Sequence, residues 1–200
     1  IDNYLFDSPN QSINYVECHD NFTFRDFVSH INPNMSEEVM KDYAKLALSM
    51  VLISQGVPFI HAGQEFFRTK QGVENSYKSP DEINAINWSL ADENWDMVEM
   101  VRDLIAIRKE YNIFRQYRKS ILKSNIKISS KLNNSNTIVT IGKGVEERFY
   151  VIFKNDYNYE FIDFEATMTL IFDGRKRCST ICESIGFDKP GVYIVLKGRE

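Results

Sequence analysis

Two short apolar runs, each followed by a helical repeat, limit what this chain can fold into more than any other feature of its sequence. Ile13-Asn14-Tyr15-Val16-Glu17-Cys18, after the turn signal Ser8-Pro9-Asn10, reads as a strand. Ser36 is placed to cap a helix, and Glu37 and Glu38 in its first turn suit the helix dipole. Val39, Tyr43, Leu46, Ala47, Met50 and Val51 then recur at helical spacing as one apolar face, and Gln55-Gly56 ends the pattern. Val57-Pro58-Phe59-Ile60 follows, with the look of a buried parallel strand. Residues 64–92 are polar and weakly periodic, and so long a loop is expected in a compact domain only where it serves function. A second amphipathic helix, from about Asn94 to Tyr111, turns Val98, Val101, Leu104 and Ile105 inward. Two βα units are too few for a free-standing sheet. A (β/α)8 barrel takes about 250 residues, so this half reads as its last quarter.

From Tyr117 onward the texture changes to short alternating runs: Ile126–Ser129, Thr137–Ile141, Phe149–Phe153, Thr167–Ile171 and Val192–Leu196. Turn signals separate them at Asn133-Asn134, Lys154-Asn155-Asp156, Asp173-Gly174 and Pro190-Gly191. Short strands so punctuated predict an antiparallel sandwich. The expected fold is therefore α/β plus all-β: the last two βα units of a (β/α)8 barrel in residues 1–116, then a C-terminal antiparallel β-sandwich in residues 117–200.

Composition removes several function classes. A net charge of −4 supplies no clustered basic surface for nucleic acid. The longest apolar stretch, Leu46 to Ile53, is broken by Ser49 and is too short to span a bilayer, so no membrane partner is expected. The three cysteines fit no metal spacing, and the three histidines are dispersed, so neither metal nor cofactor is expected. The sequence opens without an initial Met, a basic segment or an apolar run. It reads as part of a longer protein, expected in the cytoplasm rather than secreted.

Chemistry concentrates at Tyr15-Val16-Glu17-Cys18-His19-Asp20-Asn21, where a strand runs into consecutive polar side chains. The C-terminal ends of barrel strands form the active-site face. A carboxylate beside an imidazole there can hold sugar hydroxyls and oppose the positive charge of an oxocarbenium-like transition state. Taken alone, such a pair more often caps or solvates a loop. A Cys18–His19 thiol dyad is not expected, since neighbours on a strand point to opposite faces.

The segment Ile13 to Asp26, with His19-Asp20-Asn21 and Thr23, resembles the seventh-strand region of the α-amylase family of glycoside hydrolases. Gly56-Val57-Pro58-Phe59-Ile60-His61-Ala62-Gly63-Gln64-Glu65-Phe66 resembles that family's eighth strand and Gly-x-Glu turn. Arg68-Thr69-Lys70, Asn75-Ser76-Tyr77, and Asp81 with Asn84 and Trp88 are similar to a pattern of its type I pullulanase-like debranching members. The resemblance implies hydrolysis of α-1,6 branches in pullulan, starch or glycogen with retention, without a cofactor. It implies that Asp20 is the transition-state stabiliser and that His19, Arg68, Asp81, Asn75, Tyr77 and Asn84 bind the α-glucan. It implies a structural role for Glu65. The nucleophile and acid/base would come from a missing N-terminal part of the same enzyme, leaving this portion inactive by itself. On the residues alone, an internal Arg68–Asp81 ion pair in a solvated loop stays open. So do a carbohydrate-binding or structural module in residues 116–200, and a related isoamylase or transglycosylase.

Overall fold

The computed structural model describes residues 6–131, 136–142 and 148–198. The first half opens with β1 (Ile13–Asn14), then α1 (Phe24–Ile31), α2 (Glu37–Ile53) and β2 (Val57–Pro58). The two strands pair in parallel, Ile13 opposite Val57 and Asn14 opposite Pro58. Thr23 caps α1 by accepting from the Asp26 amide, and Ser36 caps α2 by accepting from the Val39 amide, which satisfies amides with no partner inside the helix. Gly56, at φ +99°, makes the turn into β2 against the carbonyls of Pro9 and Ser12, each of which would lie 2.9 Å from an added Cβ. A side chain there would push the two strands apart.

The polar stretch from residue 64 holds a 3-10 turn at Gln64–Phe66 and two short α-helices, α3 (Asp81–Asn84) and α4 (Ser89–Glu93), before α5 (Trp95–Glu110). After α6 (Lys119–Asn125) come β3 (Ile126–Lys131), β4 (Asn136–Gly142), β5 (Arg148–Lys154), β6 (Glu160–Asp173), β7 (Arg177–Phe187) and β8 (Gly191–Lys197). They form one six-stranded antiparallel sheet in the order β3-β4-β5-β8-β6-β7. The turn expected at Asn133-Asn134 lies outside the described residues.

The expected two sheets of a sandwich are thus one hydrogen-bonded sheet that folds back on itself. β6 pairs with β8 only over Thr169–Asp173, while its first part runs on with β7 past a register break between Asp163 and Met168. Such a break bends a strand. The arm so formed lays Ile162, Met168, Ile185 and Phe187 against Ile152, Tyr193 and Val195 as a second apolar cluster.

The main core crosses residue 116. Leu48, Leu52 and Ile53 of α2 and Met100, Leu104 and Ile107 of α5 pack on Phe149, Val151, Phe172, Val192 and Ile194 of the sheet. Burying this much apolar surface, at about 25 cal/mol per Å2, is the main stabilising term. Arg108, buried inside it, donates to the carbonyls of Leu52, Ser54, Phe114 and Gly56 at 2.7–2.9 Å and so ties the end of α2 to β2. Burial lowers its pKa below the ordinary arginine value.

Several local expectations change. The first strand covers Ile13–Asn14 only, and the second is not buried: Ile13 is 62% exposed, and Tyr15, Val16, Val57 and Phe59 are exposed with it. Among the described residues each strand has one hydrogen-bonded neighbour and no apolar layer over that side. The face predicted for α2 is too narrow, because the helix touches α1, α5 and β8 at once. It buries Ala44, Leu48 and Leu52 and leaves Met50 exposed. Strand β7 was not expected. As an edge strand it needs only one neighbour, and its exposed Ser, Thr and Glu residues carry no apolar alternation.

Candidate active site

The link from β1 to α1 carries two carboxylate–imidazole pairs of opposite character. Glu17 is buried. One of its oxygens accepts from the Phe24 amide at 2.6 Å and the other lies 3.1 Å from His61 Nδ1. His61 Nε2 faces Arg68 Nη1 at 3.5 Å, so the network assigns the imidazole proton to Nδ1. This pair and Arg68 lock the base of the link to the segment after β2. His19 and Asp20, by contrast, meet at 3.3 Å in the open, with side chains 84% and 68% exposed. Salt screening and water leave such a pair little intrinsic strength, so both groups are available to a ligand.

The backbone beneath them is fixed from below. Lys70, 1% exposed, donates from Nζ to the carbonyls of His19 at 3.2 Å, Asn21 at 2.5 Å and Glu74 at 3.2 Å. Its amide and the Thr69 hydroxyl donate to the two oxygens of Asp26, which also accepts from Thr23 Oγ1. Arg25 stacks on the Phe67 ring at 4.8 Å. The result is an open cleft lined by Asp20 and Asn21 on one side and Glu74 and Asn75 on the other.

The expected site residues divide by burial. Asp20, His19, Asn75, Tyr77 and Asp81 are exposed, Tyr77 at 74%. Asp81 sits in the first turn of α3. Arg68 is buried instead. Its guanidinium donates to Ala62 O and Asn84 O, and its Nε has no hydrogen-bond partner among the described residues. Gly63, at φ +95°, makes room for it, since an added Cβ would lie 2.7 Å from Arg68 Cδ. Asn84 turns inward as well and donates to Ser76 O and Ser79 O. Both residues brace the loop, and no Arg68–Asp81 ion pair occurs among the described residues. Glu65 accepts from the Gly63 amide.

The expectation of no Cys18–His19 pairing rests on a strand running through Cys18, whereas β1 ends at Asn14. Residues 18–20 lie outside β1, and one ligand atom from each of Cys18, His19 and Asp20 falls within 4.8 Å of the others. The group is open to solvent, and nothing further in the structure points to an ion there.

Glu17, Asp26 and Lys70 were missed as site-building residues. The signal for Glu17 was a carboxylate in an apolar run. Lys70 offered none, because a lysine in a polar loop looks solvated.

No protein-family model matches the chain. Among curated proteins it is similar to the pullulanase of Bacillus subtilis (strain 168), 50% identical over 107 residues, or 54% of this chain and 15% of that protein. It is also similar to the chloroplastic pullulanase 1 of Arabidopsis thaliana, 41% identical over 88 residues, or 44% of this chain and 9% of that one. Among solved structures, the pullulanase of Anoxybacillus sp. LM18-11 complexed with maltotetraose superposes with a TM-score of 0.87 at 33% identity, over 96% of this chain and 29% of that one. The chain is pullulanase-like over most of its length and spans well under a third of each of these relatives. No helix among the described residues is long and apolar enough to cross a membrane.

Proposed function

We propose that this chain is the C-terminal part of a debranching glycoside hydrolase that cleaves α-1,6-glucosidic links in pullulan, starch or glycogen with retention. The observation that carries the reading is the structural likeness over 96% of the chain to a pullulanase complexed with maltotetraose. Residues 1–116 are the end of a (β/α)8 barrel. The parallel β1–β2 pair, with its exposed Ile13, Tyr15, Val16, Val57 and Phe59, is the place where the preceding strands and helices would pack. Residues 117–200 are the C-terminal β domain, a sandwich made by one folded sheet.

In this reading Asp20 supplies fixed negative charge to the oxocarbenium-like transition state and His19 holds a hydroxyl of the sugar being cut. Asn75, Tyr77 and Asp81 contact the glucan across the cleft, and Arg68 and Asn84 act by holding their loop. The nucleophile and acid/base come from the upstream polypeptide, which is also the partner that covers the exposed face. Three free thiols suit a reducing compartment, so the proposal places the protein in the cytoplasm.

Expression with and without the upstream polypeptide tests this. This chain alone should release no reducing sugar from pullulan, and release above a blank overturns the proposal. The polypeptide from the full reading frame should be active. Asp20→Asn should lower its kcat about a hundredfold or more, since one preorganised charge is removed without loss of shape. A variant within a few-fold of wild type would falsify the assignment of Asp20.

A further inference from the structure

The geometry points to Lys70 as a positioning residue whose ammonium joins the two walls of the cleft and thereby sets where Asp20 stands. The role in turnover rests on the debranching reading; the geometric part does not. A lysine is among the residues least often buried without a carboxylate partner. Lys70 is buried, and no carboxylate lies within ion-pair distance of its Nζ among the described residues. All three ammonium donors go to main-chain carbonyls instead. Two of these, His19 O and Asn21 O, flank Asp20 on one wall, and the third, Glu74 O, belongs to the other.

Carbonyls of separate segments repel one another unless a donor stands between them, and the Lys70 ammonium supplies three donors together with a full charge. The same inference follows from the backbone on either side. Asn21 and Gln71, one an acceptor and one the residue after the lysine, both adopt left-handed conformations at φ 60° and 55°. A conformation of that kind persists only where the surroundings over-determine it. The main chain of Lys70 is fixed too, by the hydrogen bond its amide donates to Asp26 Oδ2 at 2.6 Å. The side chains of His19 and Asp20 therefore stand exposed on a main chain held on both flanks. That arrangement suits a charge that must meet a developing cation at a set place.

The test uses the complete enzyme for both kinetics and spectroscopy. Lys70→Met removes the donors and keeps the stem. Its kcat should fall at least tenfold and up to about a hundredfold, as misplacement by about 1 Å can cost, with KM changed less than about threefold. Leu48→Ala, a core truncation remote from the cleft, serves as a control for lost Tm and should keep kcat within a few-fold. If Lys70→Met retains the kcat of that control, the positioning role is overturned. Should Lys70→Met not fold, one glycine inserted beside Gly72, where an added Cβ meets nothing within 4 Å, displaces Glu74 O and should give the same loss of kcat. Wild-type kcat there overturns the role equally. In the complete enzyme, 15N spectra should show a slowly exchanging Lys70 ammonium with couplings to the carbonyls of His19, Asn21 and Glu74. An ammonium that exchanges like a surface lysine overturns the clamp. Absence of activity in the wild-type enzyme, with the clamp seen by NMR, would instead count against the debranching reading.

Discussion

The two sides of α2 are built to opposite ends. Toward the sheet, α2 and α5 bury a continuous apolar layer against β5 and β8, and the polar groups caught inside are satisfied, as Arg108 is by four carbonyls. Toward β1 and β2, the chain presents aromatic and aliphatic side chains to solvent on a parallel pair only two residues long. Tyr15 and Phe59 meet edge to face at 5.8 Å with little else around them. The first region is finished by residues within the chain. The second is left uncovered by the described residues. The difference teaches that residue 116 is a change of sequence texture rather than a line along which the structure would come apart, since the main core lies across it.

Hydrogen exchange would break this comparison most directly. The amides of Val57 and Phe59, which donate to Ser12 O and Asn14 O, should open locally in the isolated chain. Those of Val151 and Ile194 should open only on global unfolding. For a domain stable by about 5–15 kcal/mol the two sets differ by roughly four orders of magnitude or more. Equal protection would show that the β1–β2 side needs no partner. Phe172→Ala, in the core, should cost about 3–5 kcal/mol in denaturant unfolding.

Titration gives a smaller effect. Burial pushes the Tyr193 hydroxyl up to about 12, from an ordinary value near 10. A folded-state pKa above the unfolded one contributes stability that is complete below about pH 10 and lost as pH rises through about 12. A shift of about two units corresponds to roughly 2–3 kcal/mol, which Tyr193→Phe should remove from the alkaline limb of a stability profile. Smallest of all, Phe59→Ala in the isolated chain should change stability by less than about 0.5 kcal/mol. In the complete enzyme the same substitution should cost several times more, and that increase would sharpen the contrast.

The legible parts of the sequence were those whose signal is local. Ser36 and its following acids marked the start of α2, and short β-branched and aromatic runs bounded by turn signals marked β4, β5 and β8. The order of chemistry-bearing residues, with His19-Asp20 after one strand and the Arg68-to-Trp88 pattern after the other, could be read in the same way. What stayed hidden depends on partners distant in sequence. That Arg68 turns inward rests on Ala62 and Asn84, and that Lys70 is buried rests on carbonyls 49 and 51 residues away. The breadth of the α2 core could not be read from its periodicity, because α1, α5, β5 and β8 all pack on it. The folding back of β6 is set by a register break that composition does not encode.

Arg108 carries a consequence for the solution behaviour of the molecule. Its positive charge is balanced by carbonyl dipoles, which neither take up protons at moderate acidity nor exchange with dissolved counterions. Ionic strength weakens the rim pairs Lys45–Asp96 and Lys189–Glu38, since the screening length falls from about 10 Å at 0.1 M to about 3 Å at 1 M, the scale of these contacts. It has no comparable hold on a guanidinium enclosed by main chain. Molar salt should therefore loosen the periphery of α2 while the joint at its C-terminal end remains closed.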